Sequence, residues 1–181
     1  LLLVFPRDAR SQIRIDIAIA MRAQADYVSA RWLRQGNPDT TYEHYRETID
    51  TLTRDWIGKP FRPAGTAESN HALILLASRM RVVFDSLPGI PIPDESDDVS
   101  ATATMAVATM RANADALDGI SPPPSLNDID DQREDARDFV VRQIRMNVQP
   151  RIAIEKTRRR HGAQILLALA ADASVMVQRV L

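Results

Sequence analysis

The sequence contains no cysteine, and this absence excludes disulfide bridges and metal sites built on thiolates. It also contains no Asn-x-Ser/Thr acceptor, so nothing in it indicates a secreted glycoprotein. Only 6 glycines and 5 % aromatic residues occur among its 181 residues, which leaves little material for hairpin turns or sandwich cores. The composition therefore argues against a disulfide-rich protein and against an all-β protein.

What the sequence does contain is typical of a globular helical domain. Hydrophobic residues make up 45 %, charged residues 26 %, and the net charge is −1, which argues against disorder and against a dedicated nucleic-acid binder. Alanine, arginine, leucine and isoleucine dominate long stretches without glycine, and these residue types favour helices. We predict one domain, residues 1–181, with an all-α fold: an antiparallel helical bundle of about five to six helices.

Six segments have apolar residues at helical spacing, and clusters of glycine and proline separate them. Their expected extents are about 8–35, 40–58, 67–87 and 96–117, followed by segments that begin near 126 and near 163. The apolar stripe of the first comprises Ile13, Ile17, Ala20, Met21, Ala25, Val28 and Trp32. The stripe of the last comprises Leu166, Leu169, Ala173, Met176 and Val180.

Two local signals fix the expected helix ends. Thr40 and Glu43 match a capping box, in which a hydroxyl and a carboxylate satisfy the free N–H groups of a helix start, so the second helix should begin at Thr40. Pro150 should end or kink the fifth helix, because proline inside a helix costs about 3 kcal/mol.

No pattern in the sequence indicates catalysis or metal binding. Glu68 and His71 have the spacing of half a di-iron site, but the second Glu-x-x-His motif that such a site needs is absent. The acidic run between Asp128 and Asp138 lacks the fixed spacing and central glycine of a calcium loop, and acids are favourable in the first turns of a helix. Phosphate-binding loops and nucleophile elbows are also absent. We therefore predict a protein that is not an enzyme and needs no metal or cofactor.

The first residues resemble the end of a membrane helix. Residues 1–5 are all large and apolar, Pro6 follows, and then come Arg7, Arg10 and Arg14. Basic residues next to a span mark its cytoplasmic side, so we expect residues 1–6 to end a transmembrane helix and the three arginines to lie near the membrane. The alternative is that these five apolar residues are a tail that packs on the domain, or a remnant of the expression vector.

A second basic cluster consists of Lys156, Arg158, Arg159, Arg160 and His161. We expect this cluster to lie against anionic headgroups, where each charge contributes about 1 kcal/mol. A solvated helix end explains the same residues equally well, because cations are favourable there without any lipid.

Two stretches resemble the fusaric-acid-resistance type of membrane transporter, which includes the aromatic-acid exporters. They are LVFPRDAR at residues 3–10, where a span gives way to an Arg-rich helix, and the connector PFRPAGTA at residues 60–67. The resemblance implies the cytoplasmic domain of an inner-membrane protein for efflux of small aromatic or organic acids, with a structural, coupling or oligomerising role. Its partners would be the membrane part of the same polypeptide and an anionic lipid surface, with homo-oligomers left open and no nucleic acid.

Arg62 is the one candidate ligand-binding residue. Pro60 and Pro63 stiffen its loop, so its guanidinium could pair with a carboxylate through two hydrogen bonds, either within the protein or on an anionic ligand. A different class of function remains open as well: a free-standing helical module that binds a ligand or another protein.

Overall fold

The computed structural model describes residues 9–57, 68–90, 92, 97–127, 130–131, 134, 138, 141–142 and 150–181. The helices are α1 (Ala9–Trp32), α2 (Pro38–Leu52), α3 (Glu68–Ser86), α4 (Asp97–Leu117) and α5 (Pro150–Val180). A π-helical turn, Thr53–Ile57, extends α2, and a 3-10 turn, Leu87–Gly89, extends α3. These residues contain no strand, which confirms the predicted all-α helical bundle.

Helix α1 is the centre of the bundle. It packs against α2, α3 and α4, while α5 packs against α4 and α3. The N-terminal part of α1 contacts the C-terminal ends of both α4 and α5, through Arg14 and Leu117 and through Arg10 and Val180. α1 is antiparallel to α4, because Arg22 and Asp26, further along α1, bind Asp115 and Arg111, further back along α4, and α5 ends beside the start of α1.

The core forms where the apolar stripes of the helices meet. All seven residues of the predicted α1 stripe are buried, as expected for a helix covered on most sides. Apolar residues at helical spacing in α2 and α3 also reach the core, each at most 3 % exposed: Tyr45, Ile49, Leu52, Leu73, Leu76, Met80 and Leu87. Four of the buried positions of α4 are alanines, and their small side chains let α1 and α5 approach closely: Ala103, Ala106, Ala114 and Ala116.

The predicted capping box of α2 is wrong. The helix begins at Pro38, and Asn37 is its N-cap, with Oδ1 accepting from the backbone N–H groups of Asp39 at 2.9 Å and Thr40 at 3.3 Å. Asn–Pro is the stronger signal because asparagine is a good N-cap and proline at the first helical position lacks only an N–H that would be unpaired anyway.

The boundaries of the last helix were also predicted wrongly. Pro150 is the first residue of α5, so α5 begins well before the predicted Ala163. The residues just before Pro150, where the fifth helix was expected to end or kink, lie outside the described residues. Its buried face is also rotated, because both α4 and α3 cover it: Leu169 and Ala173 are only half-buried. The most buried positions are Ala163, Leu166, Leu167, Ala170, Ser174, Val177 and Val180. The fifth segment has apolar residues at helical spacing that lie outside the described residues: Ala136, Val140, Ile144 and Val148.

A polar pair is buried between α4 and α5. Asn113 and Ser174 are both fully buried, and Asn113 Nδ2 donates to Ser174 Oγ at 2.9 Å. Ser174 Oγ in turn donates to the carbonyl of Ala170 at 3.0 Å. Asn113 Oδ1 has no hydrogen-bond partner among the described residues. Because buried polar groups must find their partners, this pair favours one register of α4 against α5.

Candidate functional site

Two of the arginines predicted to lie near a membrane reach the carboxyl ends of other helices. Arg14 donates from Nε and Nη2 to the carbonyl of Leu117, at 3.0 and 2.6 Å, where α4 ends. Arg10 donates from Nη2 to the carbonyl of Val180 at 3.1 Å, where α5 ends. The last carbonyls of a helix lack partners within the helix and carry partial negative charge, so a guanidinium suits them well. Arg7 lies outside the described residues.

Ion pairs to Arg22 bind α1 to the same end of α4. Its Nη2 lies 2.8 Å from Asp115 Oδ1, and its Nη1 lies 2.6 Å from Asp118 Oδ2. The hydrogen bond that Arg22 donates to Asp115 raises the pKa of the Arg22 guanidinium above its ordinary value. Three helix ends therefore lie together at one end of the bundle: the start of α1, the end of α4 and the end of α5. We call this the Arg10 end.

The second basic cluster lies on α5, but most of its side chains lie outside the described residues. The backbone of residues 156–161 is helical, Arg160 is half-buried and His161 is exposed. The side chains of Lys156, Arg158 and Arg159 fall outside the described residues, as does the whole of Arg62. Their assignment to lipid and to a ligand stays a prediction.

In the described part of the chain the histidines and acids form no metal-binding group. His44, His71 and His161 are all exposed, and each is on a different helix. Within the described residues, no three histidine or carboxylate side chains cluster as a metal site would require. The spacing of Glu68 and His71 also suits an ion pair or a hydrogen bond at the surface, and this stays a prediction because the Glu68 side chain lies outside the described residues.

One described helix is long and apolar enough to cross a membrane. Within Arg160–Val180 a run of 18 residues has a mean hydropathy of 1.3, and half of that run is buried inside the bundle. By length and composition alone the stretch qualifies as a span, but the core helix of a soluble protein passes the same test. Here it carries the Asn113–Ser174 pair and packs against α3 and α4.

An aromatic cluster lies at the opposite end of α1 and was missed by the sequence analysis. Tyr27 is its centre, with ring centroids 5.3 Å from Tyr42, 6.3 Å from Tyr45 and 6.2 Å from Trp32. Tyr42 stacks on Phe84 at 5.4 Å with only 16° between the planes. Such contacts hold the rings in fixed orientations. Burial raises the pKa of the Tyr45 phenol well above its ordinary range, so this residue stays neutral at physiological pH.

A surface groove of about 620 Å³ lies against this cluster. Its apolar lining residues are Tyr27, Tyr42, Pro38, Pro88 and Ile92, and its charged lining residues are Arg31, Arg34 and Asp39. We call it the Arg34 groove.

Arg31 is fixed in the wall of the Arg34 groove. Its Nη1 donates to the Tyr27 hydroxyl, and its Nη2 donates to the carbonyl of Pro88 at 2.9 Å. Its guanidinium carbon lies 4.9 Å from the centre of the Trp32 ring, within the range of a cation–π interaction. A charge held this way is oriented before any ligand arrives, which lowers the entropy cost of binding.

Arg34 has a backbone conformation that is unfavourable for its residue type. Its φ is +57°, in the left-handed region that glycine adopts freely and that costs other residues about 1 kcal/mol or more. The left-handed turn lets the N–H of Gln35 reach back to the carbonyl of Ser29 at 3.2 Å, which closes the end of α1. Gly36 follows with φ +108°, a value suited to glycine alone.

The sequence carried one signal for this groove that was not used. Leu33-Arg34-Gln35-Gly36-Asn37-Pro38 joins two helices through a turn that places Arg31, Arg34 and Tyr42 near one another, but only the helix stop was inferred from it. The contribution of Pro88 and Ile92 depends on the third helix returning to this end, which no local pattern encodes.

Comparisons with known protein families, curated proteins and solved structures give no match to this chain. The function must therefore be argued from the geometry of these residues and from the sequence resemblance.

Proposed function

We propose that this chain is the cytoplasmic helical domain of a transporter-like inner-membrane protein, joined to its membrane part through the Arg10 end. The resemblance at residues 3–10 and 60–67 suggests a family that exports small aromatic or organic acids. In this proposal the domain carries out no chemistry: it holds, couples or oligomerises the membrane parts.

The observation that carries the proposal is the contact between Arg10 and the carbonyl of Val180. It brings the start of the first helix beside the end of the last, so membrane segments on either side of the domain would reach it at one place. A domain attached this way keeps its other surfaces accessible, including the Arg34 groove. The apolar stretch Arg160–Val180 is then a core helix of the domain, because its buried half is shared with α3 and α4.

The test is fractionation of the full-length product of the gene that encodes these residues. We expect the product to sediment with membranes and to stay there after washing at alkaline pH, and we expect detergent to release it. A product that is soluble without detergent would overturn the proposal and favour a free-standing module that binds a ligand or a protein.

We further propose that the basic cluster on α5 lies against anionic lipid. Replacement of Lys156, Arg158 and Arg159 by glutamine should then weaken sedimentation of the 181-residue chain with vesicles rich in phosphatidylserine, and added salt should do the same. Vesicles of phosphatidylcholine alone are the control. Equal binding to both vesicle types would assign the cluster to a solvated helix.

A further inference from the structure

We propose that the outward face of α1, around Ile19, is a docking site for a basic amphipathic helix of another protein. The residues that carry this inference are not the arginines that carry the proposed attachment to a membrane, so it does not depend on that attachment.

Two large apolar side chains lie uncovered on the central helix of the bundle. Ile15 and Ile19 are 41 % and 44 % exposed, whereas the neighbouring isoleucines of the same helix, at positions 13 and 17, are at most 3 % exposed. Ile15 and Ile19 are four residues apart, so they lie on one face, one turn from each other. Single exposed apolar residues are common on protein surfaces, but two on adjacent turns form a stripe onto which a second helix can pack.

Neighbouring helices flank this face on both sides. On one side, Ile19 lines a recess of about 180 Å³ together with Thr48 and Thr51 of α2. On the other side, Arg22, one turn beyond Ile19, binds Asp115 of α4 at 2.8 Å. The exposed isoleucines therefore form the floor of a groove between α2 and α4. A groove along a helix with an apolar floor is the shape that an amphipathic helix fills.

The carboxylates beside this floor favour a basic partner. Asp16 and Glu47 both line the recess, and the described residues that line it include no lysine or arginine. Asp16 accepts from Gln12 and from Trp56, each at 2.8 Å, and because both donors are neutral they leave its charge uncompensated. Glu47 is exposed, and its carboxylate forms no ion pair or hydrogen bond in the described part of the chain. A lysine or arginine of the partner would meet two carboxylates here, with its aliphatic stem against Ile19.

Farther along the same face of α1 the charges are already paired. Arg22 binds Asp115 and Asp118 of α4, at 2.8 and 2.6 Å. Asp26 binds Arg111 of α4 at 2.9 Å. A partner gains little from charges that are already paired at a surface. The uncompensated charge is therefore concentrated at the recess, and we expect the partner to be anchored there.

We call the surface formed by Ile15, Asp16, Ile19 and Glu47 the Ile19 face. Its charged members are both acids, so it repels anionic lipid and nucleic acid. It also repels its own copy, because a twofold contact brings the same patch of both chains together and places like charges side by side. A basic helix with an apolar face matches both the charge and the floor.

The experiment is titration of a fluorescent synthetic helix with the 181-residue chain, followed by anisotropy. The helix has about 18 residues, with leucine along one face and arginine on the other. We expect a dissociation constant below about 100 μM, and weaker binding as salt is added. We expect binding at least about tenfold weaker for a peptide of the same composition with leucine spread around the helix, and for one with glutamate in place of arginine.

Substitutions in the Ile19 face, with matched controls elsewhere, locate the contact. Ile19→Ser and Glu47→Lys should each weaken binding about tenfold or more. Both residues are exposed, so the helical circular dichroism should not change. Leu75→Ser, at a position of α3 that is 48 % exposed, and Asp172→Lys, at an exposed position of α5, should leave binding unchanged.

Several results would overturn the proposal. They are no binding of the leucine–arginine helix, binding unaffected by Ile19→Ser or Glu47→Lys, and equal weakening by the control substitutions. Sedimentation velocity and sedimentation with phosphatidylcholine vesicles test the other occupants. Self-association of the chain that Ile19→Ser abolishes would assign the face to a second copy, and vesicle binding that it abolishes would assign the face to lipid; either result contradicts the proposal.

Discussion

Asn113→Asp is the substitution that most sharply tests the packing of α5 on α4. Asn113 is fully buried, and its Nδ2 donates to Ser174 Oγ. A protonated aspartic acid has nearly the same shape and can donate from its hydroxyl to the same oxygen. An ionised aspartate would place an uncompensated charge in the core, because the Ser174 hydroxyl already donates its proton to the Ala170 carbonyl and cannot also donate to the carboxylate. Folding should therefore raise the pKa of the new carboxyl. Full burial raises a carboxyl pKa by up to about 3–5 units, and we use a rise of about 3 units for this site.

The size and sign of the effect follow from that shift. At pH below about 3.9, the unfolded value, the carboxyl is protonated in both states and the variant should be nearly as stable as the native chain. Between pH 3.9 and about 7 only the unfolded state ionises, so stability falls by about 1.4 kcal/mol for each pH unit. The loss should reach about 4 kcal/mol at neutral pH and then level off, because both states are ionised above the raised value.

Urea unfolding of the variant and the native chain, measured from about pH 4 to 8, gives this difference directly. Asn127→Asp is the matched control, since Asn127 is exposed and its replacement should show almost no dependence of this kind. An Asn113→Asp variant whose stability relative to the native chain does not change with pH would refute the reasoning. It would show that this face of α4 is open to water and that α5 does not pack on it.

Three further substitutions separate strong contacts from weak ones, each measured by urea unfolding against the native chain. Arg14→Met should cost roughly 2 kcal/mol or more, because it removes two charge-assisted hydrogen bonds and leaves the Leu117 carbonyl without them. Arg22→Met should cost under about 1 kcal/mol, since Arg22 and Asp115 are each more than a third exposed and solvent screens their ion pair; a larger loss than for Arg14→Met would contradict this order. Leu166→Ala should cost roughly 2–5 kcal/mol, because Leu166 is fully buried and its loss leaves a cavity; a loss under about 1 kcal/mol would place it at the surface.

The helical fold could be predicted because its signal is local. Apolar residues at helical spacing located the α1 stripe without error, and Gly36 marked the end of the first helix. Helix starts were harder because two signals competed. The helix begins after Asn37, at Pro38, and not at the Thr40 box, because a helix that begins earlier gains additional backbone hydrogen bonds.

The site could not be predicted in the same way, because tertiary contacts determine it. Arg10 and Arg14 were identified as important arginines, but their partners are carbonyls more than a hundred residues away in sequence. The Arg34 groove needs Tyr27 from α1, Tyr42 from α2 and Pro88 after α3 to lie together. No residue spacing within one helix specifies that these three residues lie together, although the Leu33–Pro38 turn indicates that α1 and α2 meet at this end.

The stretch Arg160–Val180 shows how composition and context differ. A span in lipid would present apolar side chains all round, whereas α5 places Asp172 on its surface, with a carboxylate oxygen 3.7 Å from Arg79 of α3. Removing α5 from the bundle would expose the faces of α3 and α4 that it covers and leave Asn113 without Ser174. These contacts are what a core helix of the domain requires.

The central claim, a helical domain on the cytoplasmic side of a membrane protein, is tested most directly by cysteine labelling. The 181 residues contain no cysteine, so Ala108→Cys, at an exposed position of α4, introduces one label site into a full-length protein whose cysteines elsewhere have been replaced by serine. We predict that a membrane-impermeant maleimide labels Cys at this position in inverted inner-membrane vesicles and fails to label it in intact spheroplasts. Labelling of intact spheroplasts, or absence of the protein from the vesicles, would contradict the account.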